Sequence, residues 1–213
     1  MAKISVSLWS ADLADLGNEV KRLENYADLF HFDVADGHFG STFIFSPDLI
    51  KALRGKTNIP FDAHLIVEHP DRFITPFIDA GADIITVYAE SDCDLESTIK
   101  KIKKQRTKVA VSLKPETPVS VLEPFLDGLD MVLIMGAGID VKGQALVPST
   151  YDKIKGLASL IAQRGLSIDI GIDGGVSKDT VPGLVKAGAT VVVSGTLIFS
   201  QEPEVIFDWL KKL

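Results

Sequence analysis

The sequence predicts an α/β fold of the (β/α)8 TIM-barrel type, built as one domain over residues 1–213. Three observations predict it. Eight short apolar, β-forming runs recur along the chain, amphipathic segments separate them, and polar and glycine residues gather where the runs end. The repeat is about 26 residues, near the lower limit for such a barrel. An open doubly wound sheet is the rival for this alternation, but it calls for G-x-G-x-x-G after its first strand. The chain has Ser7-Leu8-Trp9-Ser10 there.

Taken in order, Ile4–Leu8 opens the series, and a helix is expected over Ala11–Tyr26 with Ser10 before it as cap. Leu29–Val34 and Pro60–Ile66 follow as strands; Pro70 then opens a helix expected over Asp71–Ala80. Next come Ile84–Ala89 and Lys108–Leu113, after which Pro118 opens an expected helix over Val119–Phe125. Met131–Met135 precedes a long amphipathic stretch from Ser149 to Arg164. Ile168–Ile172 is followed by Ser177 and a helix over Lys178–Ala187 that closes on Gly188. Val191–Ser194 is the last strand, and Glu202–Leu213 the last helix. Most of the runs are nearly unbroken apolar β-formers, the pattern of strands covered on both faces in a parallel sheet.

Composition narrows the function. Hydrophobic residues at 46% and charged residues at 24% are ordinary for a soluble globular chain. A net charge of -7 argues against nucleic acid as the partner. No run is long and apolar enough to span a bilayer, so no membrane role is expected. Cys93 is the only cysteine, which excludes an intrachain disulfide and fits a reducing, cytoplasmic setting. Met1-Ala2-Lys3-Ile4 reads as the start of a strand, not as a signal peptide. Apolar positions on the outer helices permit a homo-oligomer.

The chemistry lies at the strand ends, where a barrel of this type carries its active face. His31 and Asp33 are two apart on one strand pattern and so share a face; Asp62-Ala63-His64 brings the same residue types to the next. Asp173 adds a carboxylate, followed at once by Gly174 and Gly175. Two imidazoles and two carboxylates from three strands suit one divalent cation, and zinc, iron, manganese or cobalt would each accept the set. Asp173-Gly174-Gly175 and Ser194-Gly195-Thr196 stand after the last two strands, where small residues let backbone N–H groups approach a phosphate. The expected ligand is a small phosphorylated molecule whose far end lies at the metal.

Together these segments resemble the ribulose-phosphate 3-epimerase family. The resemblance rests on Ser7-Leu8-Trp9-Ser10, on His31-Phe32-Asp33-Val34-Ala35-Asp36-Gly37-His38-Phe39, and on Asp62-Ala63-His64-Leu65. Ile172-Asp173-Gly174-Gly175, Gly143-Gln144 and Val193-Ser194-Gly195-Thr196 continue it to the last strand. It implies a metal-assisted epimerisation at C3 of a ketose 5-phosphate, with D-ribulose 5-phosphate the leading substrate and D-xylulose 5-phosphate the product. By that resemblance His31, Asp33, His64 and Asp173 hold the metal, and Asp33 and Asp173 are the two acid/base carboxylates. Ser7, His64, Met135, Lys142, Gly143, Gly174, Gly175, Gly195 and Thr196 are the expected substrate contacts.

The chain departs from that family at the lining. Ala35 and Ile66 stand where methionines are usual, leaving Met135, and the vacated space is either open or refilled by Trp9 or Phe43. Tyr88 replaces a usual His and Lys114 a usual Asn. Gly138-Ile139-Asp140-Val141-Lys142-Gly143-Gln144 replaces a glycine-rich flap, with Lys142 a candidate cation for the phosphate. These changes keep a larger substrate such as D-allulose 6-phosphate in play. Two other classes compete: a Schiff-base aldolase using Lys114, and a non-catalytic phosphosugar-binding relative.

Overall fold

The computed structural model describes residues 2–139 and 143–213. Among them nine strands follow in chain order. They are β1 (Lys3–Ser7), β2 (Leu29–Asp36), β3 (Phe43–Ile44), β4 (Phe61–Ile66), β5 (Ile84–Tyr88), β6 (Lys108–Leu113), β7 (Met131–Met135), β8 (Asp169–Asp173) and β9 (Val191–Ser194). Eight are parallel and close on themselves in the order β1-β9-β8-β7-β6-β5-β4-β2, with β2 pairing back onto β1. The exception is β3, two residues that run antiparallel to the end of β2 outside the ring. The predicted (β/α)8 barrel is the observed fold.

Period-two alternation sorts each strand's residues between two environments. On β2, Phe30, Phe32 and Val34 turn outward and pack with the helices in one continuous core. The inward residues form layers. Leu29, Ile84, Ala110, Met131 and Val191 make an apolar layer at the amino ends of the strands. A second apolar layer, Ala35, Ile66, Tyr88, Leu133, Met135 and Val193, lies towards the carboxyl ends. Between them the buried positions are polar: Ser5, Ser7, His31, Asp33, Asp62, His64, Thr86 and Ser112. A structural barrel would gain nothing from that middle layer, since a polar group taken out of water is costly unless it is partnered.

The helices surround the ring, and several are shorter than the sequence suggests. They are α1 (Leu16–Leu23), α2 (Pro47–Arg54), α3 (Ile74–Asp79), α4 (Leu95–Lys104), α5 (Thr150–Gln163), α6 (Val181–Ala187), α7 (Thr196–Phe199) and α8 (Pro203–Leu210). The helix expected over Ala11–Tyr26 starts only at Leu16. Leu8–Ser10 is a 3-10 turn, and the Ala14 N–H donates to Asp12 Oδ1 at 3.0 Å, a local turn that competes with helix. The helix expected over Val119–Phe125 is replaced by two 3-10 turns, Val119–Leu122 and Leu126–Gly128. Pro124 is the reason: it lacks the N–H that would continue the helical ladder, although Glu123 before it keeps helical backbone at φ −51°, ψ −40°. At α6, Ser177 N–H donates to Thr180 Oγ1 at 2.8 Å, which delays the helix to Val181. The sequence reading set no bounds for α2 or α4; α4 begins where Asp94 accepts the Ser97 N–H at 2.9 Å, as an N-cap should.

Carboxylates tie down the amino ends of the strands. Asp28, Asp83 and Asp130 each accept a strand N–H, from Ile4, Phe61 and Val109, all at 2.8 Å. At the opposite end the loop leaving β7 is fastened where it departs. Gly136 N–H donates to the Asp173 carbonyl at 2.6 Å, and Val147 N–H returns to the Gly136 carbonyl at 2.8 Å. Among the described residues no helix is long and apolar enough to cross a membrane.

Candidate metal centre

Strand register builds the centre. On neighbouring β2 and β4, His31 lies opposite Asp62 and Asp33 opposite His64, so the four side chains enter the barrel at two adjacent inward levels, two residues apart. Asp173 is the last residue of β8 and reaches the same point from beyond β1 and β9. One ligand atom from each of His31, Asp33, His64 and Asp173 lies within 4.8 Å of the other three. Ligands bound to one cation at 2.0–2.2 Å stand at most about 4.4 Å apart, so small side-chain adjustments let these four share an ion. Two nitrogens and two carboxylate oxygens make a donor set that first-row divalent metals accept.

His31 Nε2 sits at the middle, 3.2 Å from His64 Nδ1, 3.4 Å from Asp33 Oδ1 and 3.7 Å from Asp173 Oδ2. Three of the four, Asp33, His31 and His64, have outer support. Ser7 Oγ donates to Asp33 Oδ2 at 2.7 Å. His31 Nδ1 is 3.0 Å from Asp62 Oδ2, whose other oxygen accepts the Thr86 hydroxyl at 2.6 Å. His64 Nε2 is 3.2 Å from Ser112 Oγ. Asp62, Thr86 and Ser112 carry no assignment in the sequence reading. For Asp62 a signal existed: it stands two residues before His64 and so shares that residue's inward face.

Burial and charge split the titrations of this cluster. Burial pulls His31 down, but the Asp33 and Asp62 carboxylates outweigh it and hold the ring well above the ordinary histidine range. His64 goes the other way, pushed to about 4 by burial and by the His31 charge. Burial pushes Asp33 up, yet His31, His64 and the Ser7 hydroxyl bring it below the usual carboxylate value. Asp173 is pushed up to about 7 by burial and by the neighbouring Asp33 charge. Charge and burial thus shift the two acids in opposite directions, Asp33 down and Asp173 up.

A cavity of about 560 Å³ opens directly above. Its lining includes Ser7, Asp33, Met135, Gly143, Asp173, Gly174, Gly175, Gly195 and Thr196. His31 and His64 have no exposed surface and lie beneath that lining, so His64 joins the ligand cluster but not the cavity wall. Lys142 lies outside the described residues. Gly175 has φ +68°, and a Cβ built on it would fall 2.5 Å from Leu146 Cα. Only glycine lets the returning loop seat against that backbone.

A model of the ribulose-phosphate 3-epimerase family matches residues 3–199. The chain belongs to this family. As a member of it, the chain is 42% identical to the ribulose-phosphate 3-epimerase of Bacillus subtilis (strain 168), over 94% of each. It is 36% identical to the enzyme of that name from Escherichia coli (strain K12), over 93% of this chain and 89% of the relative. Among solved structures, 3-hexulose-6-phosphate synthase from Salmonella typhimurium superposes with a TM-score of 0.73 at 20% identity, covering 99% of this chain and 97% of that one. A variant of the tryptophan synthase alpha-subunit from Pyrococcus furiosus gives 0.69 at 18%, covering 100% and 97%. At such identities these structures speak for the fold alone.

Several of the departures noted in the sequence, Ala35, Ile66, Tyr88 and Lys114, lie on β2, β4, β5 and just past β6, neighbouring strands of the ring. The space beside Ala35 and Ile66 is filled by Phe39, Ile44 and Ile139, which pack onto the upper apolar layer. The expected fillers do other things: Trp9 lines the cavity, and Phe43 is 77% exposed. Tyr88 stacks on His64 with ring centroids 5.0 Å apart, Phe39 lies 4.9 Å from Tyr88, and Lys114 Nζ sits 4.2 Å over the Phe39 ring. Lys114 is thus engaged on an aromatic face and is not part of the cavity lining. Cys93 is remote, in a second hollow of about 460 Å³ beside His69 and Asp92, where burial pushes its thiol above the ordinary range.

Proposed function

We propose that this chain interconverts D-ribulose 5-phosphate and D-xylulose 5-phosphate by inverting C3, with Asp33 and Asp173 as the proton-transferring groups. The observation that carries the proposal is the joining of these two carboxylates, from β2 and β8, with two histidines at the floor of an open cavity. Family membership and relatives called ribulose-phosphate 3-epimerase support the substrate.

The proton at C3 lies next to a ketone and is too weakly acidic for an unaided carboxylate. A divalent cation held by His31, Asp33, His64 and Asp173 would supply Lewis acidity that stabilises the negative charge developing on the sugar oxygens. Asp33 on β2 and Asp173 on β8 come from strands three steps apart around the ring, an arrangement that supports one taking the C3 proton and the other returning a proton to the far face. Each such positioned acid or base contributes about 10²–10⁴-fold. Ser7 holds the Asp33 carboxylate in orientation through its 2.7 Å hydrogen bond. Ile66, Met135 and Val193 contribute apolar surface to the cavity wall. The backbone around Gly174, Gly175, Gly195 and Thr196, with Gly143 opposite, is suited to the phosphate, and Lys142 is its candidate counter-charge. The lone Cys93 and the net charge of -7 support a cytoplasmic enzyme of small metabolites.

The test is exchange of the C3 proton with deuterated water, followed on a panel of ketose phosphates. D-ribulose 5-phosphate should exchange and yield D-xylulose 5-phosphate; chelation should stop both, and zinc, iron(II), manganese or cobalt should restore them. Faster turnover of D-allulose 6-phosphate would move the substrate to a hexulose. Binding without exchange would remove the enzyme reading.

A further inference from the structure

The two histidines of the cluster are not free to choose which nitrogen faces its centre. A carboxylate without a proton only accepts hydrogen bonds, and Asp62 already accepts the Thr86 hydroxyl on Oδ1. Its Oδ2, 3.0 Å from His31 Nδ1, therefore calls for a proton on that nitrogen, which leaves His31 Nε2 to face inward. At the other ring the geometry is reversed. Ser112 donates its hydroxyl proton to the Val87 carbonyl at 3.2 Å, so towards His64 it offers a lone pair. His64 Nε2, 3.2 Å away, must then carry the proton, and Nδ1 faces inward.

The consequence shows between the rings. His31 Nε2 and His64 Nδ1 are 3.2 Å apart, and one oxygen, Asp33 Oδ1, lies 3.4 Å from the first and 3.9 Å from the second. Two lone pairs at that distance repel unless a positive charge, a proton or a metal ion, lies between them. From these contacts we infer that Asp62 and Ser112 are positioning residues that impose opposite tautomers on the two histidines, so that His31 ligates through Nε2 and His64 through Nδ1. Neither touches the sugar or the cation; each acts through a ring. Thr86 acts one step further out, by fixing the Asp62 carboxylate.

The inference rests on the metal reading proposed above, and its test separates the two. Zinc-loaded full-length protein, labelled with ¹⁵N at histidine, is read for which ring nitrogens carry protons, and zinc affinity is measured by competition with a chromogenic chelator. His31 should show a protonated Nδ1 and a metal-bound Nε2, and His64 the converse. Asp62→Asn and Ser112→Ala should each weaken zinc binding about 10–100-fold, the usual cost of losing an outer partner of a ligand histidine. Thr86→Val, which touches no ligand, should weaken it by less. If His31 binds zinc through Nδ1, or if both variants bind zinc as tightly as the unaltered protein, the positioning role is wrong while the metal site stands. If the unaltered protein takes up no zinc, the metal reading falls and this inference with it. The tautomer measurement needs no variant, so a misfolded Asp62→Asn protein leaves the question decidable.

Discussion

Asp33 and Asp173 share one metal-sized cluster although two whole strands, β1 and β9, stand between their own. A closed ring makes this possible, because strands distant along the sheet face each other across its interior. Inversion of a carbon centre needs one proton-transferring group for each of its two faces.

Asp33→Asn and Asp173→Asn should each lower epimerisation by about 10²–10⁴-fold, the worth of one positioned acid or base. The informative readout is exchange in deuterated water. If each carboxylate serves one face, each variant keeps slow exchange from one epimer and loses it from the other. Equal loss from both epimers in both variants, each still carrying its full complement of metal, would place the two groups on the same face.

Gly175→Ala places a side chain at φ +68° against the Leu146 backbone. The backbone strain alone is worth about 1–3 kcal/mol. Melting temperature should fall, and KM for the phosphorylated sugar should rise more than kcat falls, because the wall proposed for the phosphate moves. Unchanged KM with lowered stability would confine Gly175 to a structural part.

Asp36 closes the turn after β2. Burial pushes its carboxyl up, but the N–H groups of Glu68, His38 and Phe39 outweigh that and hold it below the usual value. A carboxylate lowered in the folded state contributes stability that is complete above its unfolded value of about 4 and is lost as pH falls through the folded one. Urea unfolding should therefore show the unaltered protein more stable than Asp36→Asn at pH 6, with the gap closing towards pH 3. A gap independent of pH would assign the effect to packing.

Lys114→Ala should leave epimerisation near the original rate. Its ammonium rests on the Phe39 ring, an interaction worth about 0.5–1 kcal/mol at an exposed site. Borohydride with substrate should trap no adduct in either protein. Loss of turnover together with a trapped adduct would revive the aldolase reading.

The strands were legible because burial on both faces writes itself as apolar runs, and His31, Asp33 and His64 because a two-residue period is readable without a structure. Asp62 was in plain view but without a role, since its partner is fixed by how β2 registers on β4, a non-local fact. The broken crossover after β6 could have been read from Pro124, but the apolar spacing of Val119, Leu122 and Phe125 masked it. Phe39 and Ile44 as fillers beside Ala35 and Ile66 were out of reach, because the short β3 ribbon that carries Ile44 has no strand-like length of its own.

The knot at Gly136, tied to Asp173 on one side and to Val147 on the other, makes the intervening stretch a module with both termini at one spot. Any segment exchanged between them would enter and leave beside the Asp173 backbone, so its seating and that acid's position are coupled. Changes of loop length at that junction would therefore be felt at the carboxyl end of β8.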